Sequence, residues 1–211
     1  MRIHNPNDLV IINARSNLAI ALFCEGRLNE AHHLHDYVYN SRRRILGEIH
    51  PETIKSKANI AMTMNEMGCH TRARLLYREA LDMFEIILGP AHPDTVKTYT
   101  NLATALHDEG KYDEAEAAVA TVIPIIQSTY GSTHIEFMEA LEFQAILLHC
   151  MELYAAALAI AAQAYEQRLI TCGYYHDDTQ RVLSHFRDLA ENCEEERSLV
   201  LFPPFSPITA A

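Results

Sequence analysis

The sequence predicts an all-α fold: a right-handed α-solenoid of antiparallel helix pairs, four pairs plus a C-terminal capping helix. Three observations carry this. First, the chain repeats itself at a constant step of 42 residues, with no insertion or deletion. Gly47, Gly89, Gly131 and Gly173 stand in one register, His50, His92, His134 and His176 in a second, and Gly26, Gly68 and Gly110 in a third. Second, apolar and small residues recur at helical spacing between these punctuation points. Third, Ala and Leu are abundant, while 7 Gly and 8 Pro among 211 residues are few, which favours helix over sheet.

The repeats span about 4–45, 46–87, 88–129 and 130–171, with the closing helix in 172–193 and a tail at 194–211. The first begins inside a linker. Its opening helix is therefore expected to pack on something that precedes it, which makes the chain a fragment or an N-terminal edge. The third repeat shows the grammar most clearly. Pro93 and Asp94 open its helix A, because proline fits a first helical turn and an acid suits the positive end of the dipole. Tyr99, Leu102, Ala103 and Leu106 then form one stripe, and Gly110 stops the helix as a left-handed cap. Helix B follows with Tyr112, Ala115, Val119 and Val122, and Tyr130-Gly131 closes the unit. Pro124, inside helix B, removes a backbone hydrogen bond and is expected to kink it. Ala103 and Ala115 face each other across the hairpin, as do Ala19 and Ala31, Ala61 and Ala73, and Ala145 and Ala157. Only small side chains there let two helix axes approach closely. The closing helix, at about 177–193, lacks a partner B helix, as a cap over the end of a stack does. In the tail, Pro-Pro and Ser-Pro cannot continue a helix. Its Leu199, Val200, Leu201, Phe202 and Phe205 are expected to dock on the last repeat or to offer a motif to a partner.

The spacing Tyr99-x2-Leu102-Ala103-x2-Leu106…Ala115-x3-Val119 resembles the tetratricopeptide pattern, and so does Lys57-x2-Ile60-Ala61-x2-Met64…Ala73-x3-Tyr77. The 42-residue step, "LGPAHPDT" in the linker and "NLATAL" at 101–106 resemble the repeats of kinesin light chains and their relatives, over residues 4–193. The fourth repeat departs from the pattern: "YGSTHIEF" lacks the proline, and Glu152 stands where the turn glycine belongs.

Composition limits the chemistry. A net charge of −11 and a pI near 5.5 argue against nucleic acid. The one dense basic run, Arg42-Arg43-Arg44, reads as a solvated helix end. Five widely spaced cysteines suit a reducing compartment rather than a disulfide framework. No stretch is apolar enough to span a membrane, and the N-terminus lacks the basic-then-apolar order of a signal peptide, so the expected location is cytoplasmic. The four linker histidines cannot share a metal, because stacked repeats hold equivalent atoms about 10 Å apart while zinc ligands lie about 2.0–2.3 Å from the ion. They are expected to pack and cap the start of each helix A. His32 and His35 read as surface histidines, and Cys24 and Cys150 as buried small residues. No phosphate loop, HExxH, GxSxG or paired CxxC occurs. No cofactor, metal or catalytic activity is expected.

The A helices of such a stack line one side, and their outward strip is the candidate binding face. Asn17, Asn59 and Asn101 form one column, broken at Phe143. An asparagine offers both donor and acceptor to the backbone of an extended peptide, and the resemblance to kinesin light chains implies that role here. Asn13, Lys55, Lys97, Glu139 and Arg181 form a second column; Met62, Thr104 and Ile146 a third; Asn65, His107 and His149 a fourth. Lys55 and Lys97 beside Asn59 and Asn101 are suited to an acidic side chain or a C-terminal carboxylate, with Met62 and Ile146 as apolar pockets. The resemblance also implies acidic peptides with an aromatic anchor. Glu139 and Glu142 would repel such a ligand, which confines it to the first three repeats. The expected function is a non-catalytic module that holds a peptide or partner protein. The alternative is a structural or sensor arm of a larger multidomain protein, acting through its ends and tail. Oligomeric state stays open.

Overall fold

The computed structural model describes residues 6–191. The expectations for the tail at 194–211 and for Cys193 lie outside the described residues. Within them are nine α-helices and no strand. These are α1 (Pro6–Cys24), α2 (Leu28–Leu46), α3 (Pro51–Glu66), α4 (His70–Leu88), α5 (Pro93–Asp108), α6 (Tyr112–Tyr130), α7 (Ile135–Cys150), α8 (Tyr154–Cys172) and α9 (Asp177–Glu191). Helices of the A type begin at 51, 93, 135 and 177 and those of the B type at 28, 70, 112 and 154, so the 42-residue step of the sequence is the step of the structure.

The chain forms two compact parts, Met1–Ala118 and Val119–Ala211. In the first, α1 packs on α2, α2 on α3, α3 on α4 and α4 on α5, and α3 also touches α5. In the second, α7 packs on α8 and α8 on α9. Helix α6 is continuous through Pro124, whose ring is exposed.

The linker histidines cap the A helices. Backbone N–H groups of Glu52, Asp94, Glu136 and Asp178 donate to Nδ1 of His50, His92, His134 and His176 at 3.2, 3.1, 3.4 and 3.2 Å. Each bond satisfies one of the free donors of a helix N-terminus. Helix α7 starts on schedule without a proline because His134 supplies the same cap.

The A-to-B turns close with a repeated pair of bonds. In the second repeat these are Gly68 N–H to Asn65 O and Cys69 N–H to Met64 O, both 2.9 Å. The turn needs a left-handed residue, and Gly68 has φ +78°. In the fourth repeat Glu152 takes the same turn at φ +61°, making the same bonds at 2.9 Å, at the cost of a conformation that a Cβ disfavours. All eight seam alanines, from Ala19 to Ala157, are fully buried. In the second part Ala145 and Ala157 share one core cluster with Leu148, Leu158 and Ala161.

Candidate functional site

Helices α3 and α5 lie against each other, so residues one repeat apart on their outward strips are neighbours. Asn17 is exposed, and Asn59 and Asn101 are half-exposed. None of the three side-chain amides is hydrogen-bonded to a described residue. The column is therefore unoccupied by interactions among the described residues. Met62 is half-buried beside it. Thr104 is exposed, with its hydroxyl donating back to Thr100 O at 3.0 Å.

The lysines differ from one another. Lys97 is exposed and forms no ion pair with a described residue. Lys55 reaches across to Asp94 at the start of α5, with Nζ 2.9 Å from Oδ1. The first-turn acid that favours the dipole of α5 thus also neutralises the cation of the preceding repeat. His107 is half-buried and engaged, with Nδ1 3.1 Å from Asp108 Oδ1 and its ring 5.6 Å from that of Tyr112. Its neighbour in the column, Asn65, is buried: its amide donates to Asp108 at 2.6 Å and its carbonyl meets His70 at 3.0 Å. That column ties turns together. Tyr99, at the leading position of the repeat motif, donates to Glu85 of α4; burial and that bond push its hydroxyl up to about 12.

Several expectations need correction. Arg42 is no solvated helix end. It is buried, donating to Ser56 Oγ at 2.9 Å and Asn13 Oδ1 at 2.8 Å, and pairing with Glu52 at 2.8 Å. Desolvation lowers its pKa, with Glu52 opposing. The signal lay in the repeat itself: Phe84, Ile126 and Arg168 stand in the same register, and each is buried. His35 is fully buried with neither ring nitrogen hydrogen-bonded, and half-buried His32 lies on the same helix. The Ala-x3 spacing from Ala31 that places Tyr77 and Val119 in the core places His35 there too. Glu142 is a buried partner rather than a repelling charge: Arg168 Nε lies 2.8 Å and Arg181 NH2 3.0 Å from its carboxylate. Cys24 is exposed and Cys150 half-buried.

Sequence reasoning also missed a cleft of ≈ 510 Å³ on the B-helix side, between Tyr39 and Asn40 of α2 and Arg72 and Leu76 of α4, floored by Ile60 and Met64 of α3. No described group of three His, Cys, Asp or Glu side chains is placed to hold a metal ion. No described helix is long and apolar enough to cross a membrane.

No curated protein matches the chain significantly. Among solved structures, a point variant of a Podosopora anserina protein described as a kinesin light chain with nearly identical TPR-like repeats superposes with a TM-score of 0.82 at 18% identity, covering 94% of each chain. BtubC from P. vanneervenii gives 0.76 at 14% identity, over 96% of this chain and 85% of that one. A Rap protein complexed with competence and sporulation factor gives 0.57 at 14% identity, over 90% of this chain and 60% of that one. The tetratricopeptide repeat family model matches three times in overlapping register, at residues 10–86, 52–128 and 94–170, and with the nine helices and their constant step this shows that the chain belongs to the tetratricopeptide repeat family.

Proposed function

We propose that the protein is a non-catalytic interaction module that holds an extended peptide or partner segment along the outward strip of α1, α3 and α5. The observation that carries this is the column Asn17, Asn59 and Asn101: three side-chain amides in one register of α1, α3 and α5, none of them bonded to a described residue. A polar side chain serving the fold would be engaged, as Asn13 and Asn65 are. The Rap protein complexed with competence and sporulation factor offers a precedent for ligand capture on a related fold. Lys97 is the cation available to an acidic side chain or C-terminal carboxylate; Lys55 contributes only by giving up Asp94. Met62 offers the adjoining apolar contact, and Thr104 and His107 border the strip. The odd number and wide spacing of the cysteines suit a reducing, cytoplasmic setting.

The test is a peptide-array screen of the intact chain, followed by titration of the hits. Asn59→Ala with Asn101→Ala is expected to weaken binding roughly tenfold, the worth of one or two net hydrogen bonds, with the thermal melt unchanged. Lys97→Glu is expected to remove preference for acidic hits. Hits that bind the asparagine double variant as tightly as the parent would sink the proposal.

A further inference from the structure

We infer that the cleft between α2 and α4 is a second binding site, separate from the asparagine strip, for a small zwitterion with an apolar side chain: an apolar amino acid or a short peptide of such residues. Its volume of ≈ 510 Å³ falls in the range of small-molecule sites, about 300–1,000 Å³. The repeat explains its origin. Lys57 stands where the following units place Tyr99, Leu141 and Leu183. Tyr99 is half-buried, and Leu141 and Leu183 are buried. Lys57 instead carries its ammonium to Glu79 of α4, with Nζ 3.2 Å from Oε2. A thin charged chain replaces a bulky one, and space is left over Ile60 and Met64.

The walls of the cleft identify the ligand. One repeat on, ion pairs clasp the corresponding walls: Arg78 of α4 lies 3.5 Å from Glu114 of α6, and Arg74 lies 2.6 Å from Glu109. Asp36 and Arg72 hold the registers of Arg78 and Glu114, with the signs reversed. They line opposite walls, and no ion pair joins them. Arg72 is exposed and bonds no described residue. Among the described side chains, the Asp36 carboxylate has only His32 Nε2, at 3.6 Å. The other charges of the cleft are paired, Lys57 with Glu79 and Glu48 with Arg43 at 3.5 Å. One cation and one acid thus face each other across an apolar floor of Ile60, Met64 and Leu76. A lone anion there would be drawn to Arg72 and repelled by Asp36, and a lone cation the reverse. A molecule with both an ammonium and a carboxylate gives each wall a charge-assisted hydrogen bond, while its side chain covers the floor.

A ligand of about ten heavy atoms in an open cleft is expected to dissociate on the order of 100 μM. The test is calorimetric titration of the full chain with leucine and with the dipeptide leucyl-leucine. Their relative affinity tells whether the walls match a free amino acid or the wider-spaced termini of a peptide. At least one is expected to bind roughly tenfold tighter than N-acetyl-leucine, which lacks the ammonium, and leucinamide, which lacks the carboxylate. Arg72→Gln and Asp36→Asn should each weaken binding by a similar factor. Asp36→Arg with Arg72→Glu copies the Arg78–Glu114 clasp and should abolish binding with the helical circular dichroism retained. Asn59→Ala with Asn101→Ala should leave it unchanged. Failure of both zwitterions to bind at millimolar concentration overturns the inference. So does equal binding of either blocked leucine, or binding that survives Arg72→Gln or disappears with the two asparagines.

Discussion

Arg42 and Arg168 occupy the same register three repeats apart, and both are buried where the intervening repeats place Phe84 and Ile126. A buried guanidinium is tolerable only when it is well paired. Arg42 has Glu52, Ser56 and Asn13; Arg168 has Glu142 at 2.8 Å and Asp178 at 3.6 Å. His35 has no such provision. Desolvation, aided by the neighbouring His32, pulls its pKa down to about 4. The folded chain therefore holds this ring neutral while the unfolded chain, with an ordinary value of about 6.5, takes up a proton. Between those two values the unfolded state binds more protons, so stability falls as pH drops through that window and is unaffected by this group above it. The loss is expected to approach about 3 kcal/mol below pH 4. Urea midpoints measured against pH should show this slope in the parent chain and a shallower one in His35→Phe, which restores the aromatic of the Tyr77 register.

At the level of elements, start signals, stop signals and seams recur with little variation. The histidine caps and left-handed turns fix where each helix begins and ends, and the alanine seams fix how close two helices come. Ala103 and Ala115 are both without exposure, so a larger side chain at either has no free volume to enter. Ala103→Leu is expected to destabilise the chain by roughly 1–3 kcal/mol through overpacking, read as a lower urea midpoint with the helical circular dichroism retained. A change at exposed Thr104, one residue along, should be nearly silent. Helix boundaries and seams were legible in the sequence because they depend on residues close together in the chain, written four times. The long-range partners of the candidate strip were less so. Lys55 and Lys97 look alike in the pattern, yet among the described residues Lys55 finds an acid and Lys97 does not, because that pairing depends on a four-carbon side chain reaching Asp94 of the next repeat. Glu142 likewise reads as a surface charge until Arg168 and Arg181 arrive from 26 and 39 residues away.

At the level of the whole chain, a constant step makes a repeat removable. Removing residues 47–88 joins Leu46 directly to Gly89, so that α5 takes the place of α3 on α2. The substitution is close to like for like. Thr95, Thr98, Leu102 and Ala105 replace Thr53, Ser56, Ile60 and Thr63, all eight are buried in the intact chain, and Ser56 bonds Arg42 of α2. Arg42, which bonds Glu52 and Ser56, would find Asp94 and Thr98 at the corresponding positions. His92 keeps its cap on α5, because Asp94 travels with it. A stack in which each repeat is stabilised by its neighbours should tolerate this loss, at lower stability. The shortened chain is expected to show the same helical signal per residue and a cooperative melt at a lower temperature. Loss of helix, or a broad non-cooperative transition, would mean that the repeats are not interchangeable and that sequence equivalence overstates their structural equivalence.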